Sequence, residues 1–345
     1  MNFEVSKHDP TNTRVTDTTQ HPISSGEVRL LVDSFTINST SISAAKSGLF
    51  VPGLDLFPAV DSGWSLLPVW GAATVSESGH PAVARNDRVF GLCPTTTSFV
   101  VTPGAFTTAG FEDSQRPDGY LAAHKQFSFI PETADDNQIL LWPQFCAAFA
   151  LCDVVCSMNA LGADTVLFSS ASSKTALLAA HLLNGRGVQV VGLTSANHVE
   201  FVESTHCYTA VVSYTKIKEM HRTQALFVDF AHKAEVTESL ISNPELDVVF
   251  CLAAGDTHGP ANNQFDPQRL KGTNFESFSH LAQRASTMST AVLEKEMRDA
   301  WVRAYEWVLT WIQYQYAIGH QAVTMAYLEL ANGTTPPQIT VVCSL

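Results

Sequence analysis

The residues Ser169-Ser170-Ala171-Ser172-Ser173-Lys174-Thr175-Ala176 join a short apolar run, Val166 to Phe168, to a helical pattern that stops at Asn184, Gly185, Arg186 and Gly187. A second apolar run, Val188 to Leu193, follows and ends in the polar turn Thr194, Ser195, Ala196, Asn197. Strand, tight loop, helix and strand in that order set the loop at a helix N-terminus. There, amides without an intrahelical acceptor and the helix dipole favour an anion. A diphosphate is the group this predicts, with Ser170, Ser173, Lys174 and Thr175 as loop ligands and Thr194, Ser195 and Asn197 beyond the second strand.

These residues need a parallel sheet to position them, and the flanking sequence supplies one. From Ile139 the pattern is helical and apolar through Met158. After Glu203 strand patterns (Ala210 to Tyr214, Ala225 to Phe230, Val248 to Ala254) alternate with a helical one (Lys233 to Ser242). Strands alternating with helices predict a doubly wound parallel sheet, whose ligands lie at the C-terminal strand ends. Ala254 and His258, at the end of the Val248 strand and just beyond it, are therefore candidates for cofactor contact and for acid/base chemistry respectively.

The N-terminal part reads differently. Met1 to Gly26 is expected to be a loose arm. Glu27 to Ile37 alternates as a strand, residues 38–63 are irregular with apolar anchors Leu49, Phe50, Leu54 and Phe57, and Leu66 to Ser78 holds a strand interrupted by Gly71. Arg88 to Leu92 and Thr97 to Thr102 complete a small β-barrel-like domain. Residues 111–138 read as a polar, irregular crossing that carries His124 and Lys125, and Trp70 is a candidate wall for an apolar pocket. At the other end, a long helix is expected over about 286–319, with Val292, Met297, Trp301, Tyr305, Val308, Trp311 and Ile312 as a core or dimer stripe. A last helix (Gln321 to Ala331) precedes a closing strand, Gln338 to Cys343.

Composition excludes several classes. With 33 acidic against 20 basic residues and a net charge of −13, a nucleic-acid partner would meet general repulsion, and no basic cluster offsets it. No segment has the roughly 18 apolar residues of a membrane span, and the polar start has no signal-peptide core, so a cytoplasmic protein is expected. The 7 cysteines are odd in number and form no C-x-x-C pair, which predicts buried, reduced thiols.

The order of these pieces resembles the medium-chain dehydrogenase/reductase superfamily over nearly the whole chain. Val28 to Asn38 is similar to its first strand with the Asn of the quinone-reductase branch. Asn86-Asp87-Arg88-Val89 resembles its Gly-Asp-Arg-Val turn, and Asn332-Gly333 its C-terminal return. More closely, the Ser-Ser-Ala-Ser-Ser-Lys-Thr-Ala run, Gly192-Leu193-Thr194-Ser195 and Thr257-His258 resemble the DUF2855 family of quinone-oxidoreductase-like proteins. The resemblance implies an α/β fold: a GroES-like β-barrel domain plus an inserted Rossmann-type doubly wound parallel sheet. The expected division is an arm (1–26), the β domain (27–138), the dinucleotide domain (139–275) and C-terminal helices with a strand returning to the β domain (276–345).

The chain departs from that pattern at informative places. The superfamily's glycines would fall on Ser170, Ser173 and Ala176. Small residues there keep phosphate binding possible if the loop needs no positive φ. A Walker A loop is excluded, because it would need glycines at Phe168 and Ser173. No acid stands at the end of the second strand before Glu200, which favours NADPH over NADH, with hydroxyls, Asn197, His198 and Lys174 on the 2′-phosphate. The DUF2855 resemblance implies an Arg where this chain has Asn197, so a fixed cation is lost. Zinc is not expected: Asn38-Ser39-Thr40-Ser41 and Pro68-Val69-Trp70-Gly71 stand where zinc-dependent relatives carry Cys and Gly-His-Glu, and no cysteine cluster follows.

The reading is an NADPH-dependent, zinc-independent reductase of an α,β-unsaturated carbonyl, quinone or related ketone. Asn38, His258 and Lys125 are its candidate catalytic residues, a small carbonyl compound its partner, and a homodimer follows family habit. A lyase or hydrolase that has lost cofactor binding, and a non-catalytic sensor, are the alternatives.

Overall fold

A computed structural model describes the chain except residues 19, 48–56, 108, 117–121, 159–161 and 255–269. Two compact units result, one from Met1–Trp142 and Tyr314–Leu345, the other from the described residues of 143–313.

In the first unit, strands β1 (Asn2–Ser6) and β2 (Thr13–Thr16) pair antiparallel. Phe3 and Val5 of β1 are fully buried in the unit's core. The expected loose arm is thus part of the fold, because its apolar residues alternate and find a sheet edge. Strand β3 (Val28–Thr36) and helix α1 (Ser39–Ser47) follow, then β4 (Trp64–Leu66), which pairs with β1. The anchors Leu49, Phe50 and Leu54 lie outside the described residues.

Strands β5 (Pro68–Ser78), β6 (Arg88–Pro94), β7 (Ser98–Val101), β8 (Pro103–Phe106) and β9 (Gly110–Asp113) continue antiparallel. The turn into β6 holds Asn86 at φ 73°, a left-handed conformation that Asn tolerates. Helix α2 (Ala122–Lys125) leads into β10 (Gln126–Ile130), and β10 fills the gap between β6 and β9. Part of the expected irregular crossing is therefore sheet: a Cβ on Gly110 would lie 1.9 Å from the Phe127 carbonyl oxygen, so only glycine lets these backbones approach. Helix α3 (Asp136–Leu140) starts at the Asp135 cap.

The second unit opens with α4 (Trp142–Ser157), buried on most sides among apolar neighbours. Strand β11 (Thr165–Phe168), helix α5 (Lys174–Asn184), strand β12 (Val190–Thr194), helix α6 (Val199–Ser204) and strand β13 (Ala210–Ser213) form one half of a sheet. Strand β14 (Thr223–Asp229), helix α7 (Ala234–Ile241), strand β15 (Leu246–Ala253) and strand β16 (Gly272–Asn274) form the other. Among the described residues the order is β13-β12-β11-β14-β15-β16, all parallel. That is the expected doubly wound sheet, and its order reverses direction between β11 and β14. Val166, Leu167 and Phe168 are all buried because helices cover both faces. Helix α5 ends as its sequence requires, with Gly187 at φ 78°.

Helices α8 (Ser277–Thr287) and α9 (Thr290–Val308) belong to this unit. The aromatic stripe is core here: Met297, Trp301, Val308 and Trp311 are buried, Trp301 packs 4.9 Å from Phe145, and Trp307 stacks 4.2 Å from His181. The expected single helix over 286–319 is interrupted at Ser289, and its last part is strand β17 (Gln313–Ile318), where Gln-Tyr-Gln-Tyr alternates and pairs with a neighbour. Helix α10 (His320–Ala331), stopped by Gly333 at φ 69°, and strand β18 (Ile339–Ser344) on β3 complete the first unit.

Candidate functional site

The reversal point of the parallel sheet lies between β11 and β14, and the two strand ends are tied there by side chains. Ser169 Oγ donates to Asp229 Oδ1 at 2.7 Å and accepts the amides of Phe230 (2.7 Å) and Ala231 (2.9 Å). Asp229 also takes the amides of Ala231 and His232, each at 3.1 Å. Both side chains are buried, so each polar atom needs these partners.

The loop after β11 does require a positive φ. Ser170 stands at φ 47°, where a glycine would be at ease, and its amide donates to Tyr214 Oη at 2.8 Å. Ser173 caps α5, its Oγ accepting the Ala176 amide at 3.3 Å. Lys174 and Thr175 follow in the first turn, both half-buried. Burial lowers the Lys174 ammonium from 10.5 to about 8. A lysine at a helix N-terminus opposes the dipole, and an anion seated there would relieve both effects.

The loop after β11 and the Tyr208 ring can approach β12 because Gly192 lies beneath them: a Cβ there would lie 2.9 Å from Ala171 Cβ and 3.1 Å from the Tyr208 ring. Tyr208 in turn donates its hydroxyl hydrogen to the Ala171 carbonyl at 2.9 Å. At the end of β12, Thr194 is buried and pairs in register with Ser213 of β13. Ser195 is half-buried, and its carbonyl takes the His198 amide; Asn197 is exposed. His198 Nδ1 lies 3.2 Å from Ser172 Oγ, joining the turn after β12 to the loop after β11. The structure thus brings together Ser170, Ser173, Lys174, Thr175, Thr194, Ser195 and Asn197 around one end of the sheet.

Ala254, just past β15, is also at this edge. Its amide donates to Asp229 O at 2.9 Å, and its carbonyl accepts from His232 Nε2 at 3.1 Å. His258 lies outside the described residues. Asn38 and Lys125 belong to the first unit. Asn38 Oδ1 caps α1, accepting the Ser41 amide at 3.1 Å, and Lys125 is the last residue of α2, half-buried. In the same unit, Trp70 stacks on Phe90 at 5.6 Å and tilts toward the His124 ring at 6.2 Å.

Sequence reasoning missed Tyr214, Asp229, His232 and Lys233. Lys233 Nζ sits 5.9 Å over the Tyr214 ring, on the same edge. The signal for Asp229 was an acid closing an apolar strand; Tyr214 and His232 give none, since their roles depend on chain segments far apart in sequence. Among the described residues, no three His, Cys, Asp or Glu gather as metal ligands, and no helix is long and apolar enough to cross a membrane.

A barrel-like antiparallel unit and a doubly wound parallel unit make up an α/β fold of GroES-like plus Rossmann type. Solved structures agree. Escherichia coli quinone oxidoreductase complexed with NADPH matches at TM-score 0.62 and 13% identity, covering 100% of this chain and 99% of that one. Mycobacterial Rv1454c complexed with NADPH matches at TM-score 0.62 and 16% identity over 100% and 99%. CurA from Vibrio vulnificus matches at 0.60 and 11% over 99% and 96%. No curated protein matches the chain in sequence. The family described as "Protein of unknown function (DUF2855)" matches residues 34–336, and the chain belongs to that family.

Proposed function

We propose that this chain is an NADPH-dependent, zinc-independent reductase that delivers hydride to an α,β-unsaturated carbonyl, a quinone or a related ketone. The observation that carries the reading is the edge built by Ser170 to Thr175 and Thr194 to His198: an anion-favouring helix N-terminus with a first-turn lysine, beside a strand end without an acid. The residues present fit the dinucleotide. Ser170, Ser173, Lys174 and Thr175 would hold the diphosphate. Ser195, Asn197 and His198 would hold the 2′-phosphate, and Thr194 and Ala254 would border the nucleosides. Bound there, NADPH supplies hydride. The structural neighbours named with NADPH support this choice of cofactor.

The chain's own residues shape the site in three ways. The Ser172–His198 contact ties the two phosphate-facing turns together. Tyr208 and Gly192 keep the loop after β11 close to the sheet through Ala171. Lys233, over Tyr214, adds positive charge beside the strand ends. Asn38, Lys125 and His258 are the proposed catalytic residues, Asn38 to bind the carbonyl or nicotinamide ribose and Lys125 or His258 to donate a proton.

One observation favours the cofactor-free lyase or hydrolase instead: Tyr214 takes the Ser170 amide, which leaves one amide fewer for a phosphate. Titration of the protein with NADPH and NADH, followed by nicotinamide fluorescence, decides between them. Micromolar NADPH binding with much weaker NADH binding supports the reductase. Binding of neither nucleotide removes it in favour of cofactor-free chemistry.

A further inference from the structure

His232 occupies a position no sequence pattern singles out, yet several observations meet on it. It follows β14, the first strand of the sheet's second half, beside the reversal point. Its backbone is left-handed at φ 49°, a conformation that costs a non-glycine residue steric strain. Two contacts hold it: its amide donates to Asp229 Oδ1 at 3.1 Å, and its ring Nε2 meets the Ala254 carbonyl at 3.1 Å. A carbonyl oxygen only accepts, so Nε2 carries the hydrogen. In the neutral ring Nδ1 is then the acceptor, and among the described residues nothing donates to it. The side chain is half-buried, so this acceptor is reachable.

We propose that His232 is a ligand-contacting residue for the nicotinamide side of the dinucleotide, its Nδ1 accepting a hydrogen bond from a ribose hydroxyl. The proposal rests on the dinucleotide reading above. Each half of a doubly wound sheet serves one mononucleotide. The loop after β11 and the turn after β12 serve the adenosine half, and β14 with β15 serves the other. An aromatic ring fixed at both its amide and its Nε2 offers a pre-oriented acceptor there, which a glycine cannot.

The test compares wild type, His232→Gly and His232→Asn by titration with NADPH and with adenosine 2′,5′-bisphosphate, which lacks the nicotinamide riboside. Gly and Asn both accept the left-handed backbone, so the fold is kept, and thermal melting verifies it. The expected result is about three- to tenfold weaker NADPH binding in both variants, the effect of one hydrogen bond, with bisphosphate binding unchanged. Equal NADPH binding in all three proteins overturns the proposal. So does an equal loss for both ligands, which would make His232 a structural support of the loop. If wild type binds neither ligand, the dinucleotide reading itself fails. Imidazole nitrogen NMR of the wild type, assigned by the signal lost in His232→Asn, should show the Nε2–H tautomer; the Nδ1–H tautomer would also refute the assignment.

Discussion

Ser169 Oγ and Asp229 Oδ1, 2.7 Å apart, close the reversal point of the parallel sheet from its two central strands. Because both are buried, Ser169→Ala leaves a carboxylate with one donor fewer and the Phe230 amide without its acceptor. A loss of about 2 kcal/mol is expected, read as a lower urea midpoint with unchanged slope. An unchanged midpoint would mean that water replaces the hydroxyl without loss.

Ser170 holds a left-handed backbone at φ 47° that its side chain does not favour. Ser170→Gly should raise stability by about 0.5–1 kcal/mol, and Ser170→Val should lower it by more than that. Circular dichroism melts of the two variants check the order. A destabilised glycine variant would show that the serine hydroxyl makes a contact worth more than the strain.

Lys174 links nucleotide binding to pH. Its folded value of about 8 lies below 10.5, so between those values the unfolded chain holds more protons and stability rises with pH; below about 8 the full penalty of the buried ammonium is present. An anion at α5 raises the value again. NADPH binding should therefore take up protons near pH 8 and weaken as pH climbs through that range. Calorimetry in two buffers of different ionisation heat measures the uptake, which should vanish in Lys174→Met.

Gly192→Ala would set a Cβ 2.9 Å from Ala171 Cβ and 3.1 Å from Tyr208, forcing the loop after β11 and the Tyr208 ring away from β12. A destabilisation of roughly 1–3 kcal/mol is expected, with weaker NADPH binding. Melting temperature and nicotinamide fluorescence report the two effects separately.

The thiols should divide sharply. Burial raises Cys146 well above the ordinary thiol range and pushes Cys93, Cys152, Cys207, Cys251 and Cys343 up to about 12, whereas Cys156 is half-buried beside Arg186. Since the thiolate is the reactive form, a thiol-disulfide reagent should label Cys156 quickly in the native protein and all 7 cysteines after denaturation. Fast labelling of two or more native thiols would contradict the packing described.

Periodicity and turn chemistry in the sequence already determined the parallel sheet, the loop-to-helix junction after β11, the stop at Gly187 and the antiparallel unit before it. Those signals are local: the run Val166 to Phe168 is apolar on both faces, and Gly187 and Gly333 sit where left-handed stops are needed. Local pattern failed where a distant partner decided. Phe3 looks like any residue of a polar arm until the edge it buries against is known, and Gln313 to Ile318 reads as helix until a neighbouring strand is offered. The same limit applied to the site. Ser170, Ser173 and Lys174 follow from spacing along one segment, but the Ser169–Asp229 tie, the Tyr214 contact to the Ser170 amide and the His232–Ala254 anchor join segments 60, 44 and 22 residues apart. Spacing within one segment cannot encode such contacts, because the distance between side chains on different strands is fixed only when strand order and register are fixed.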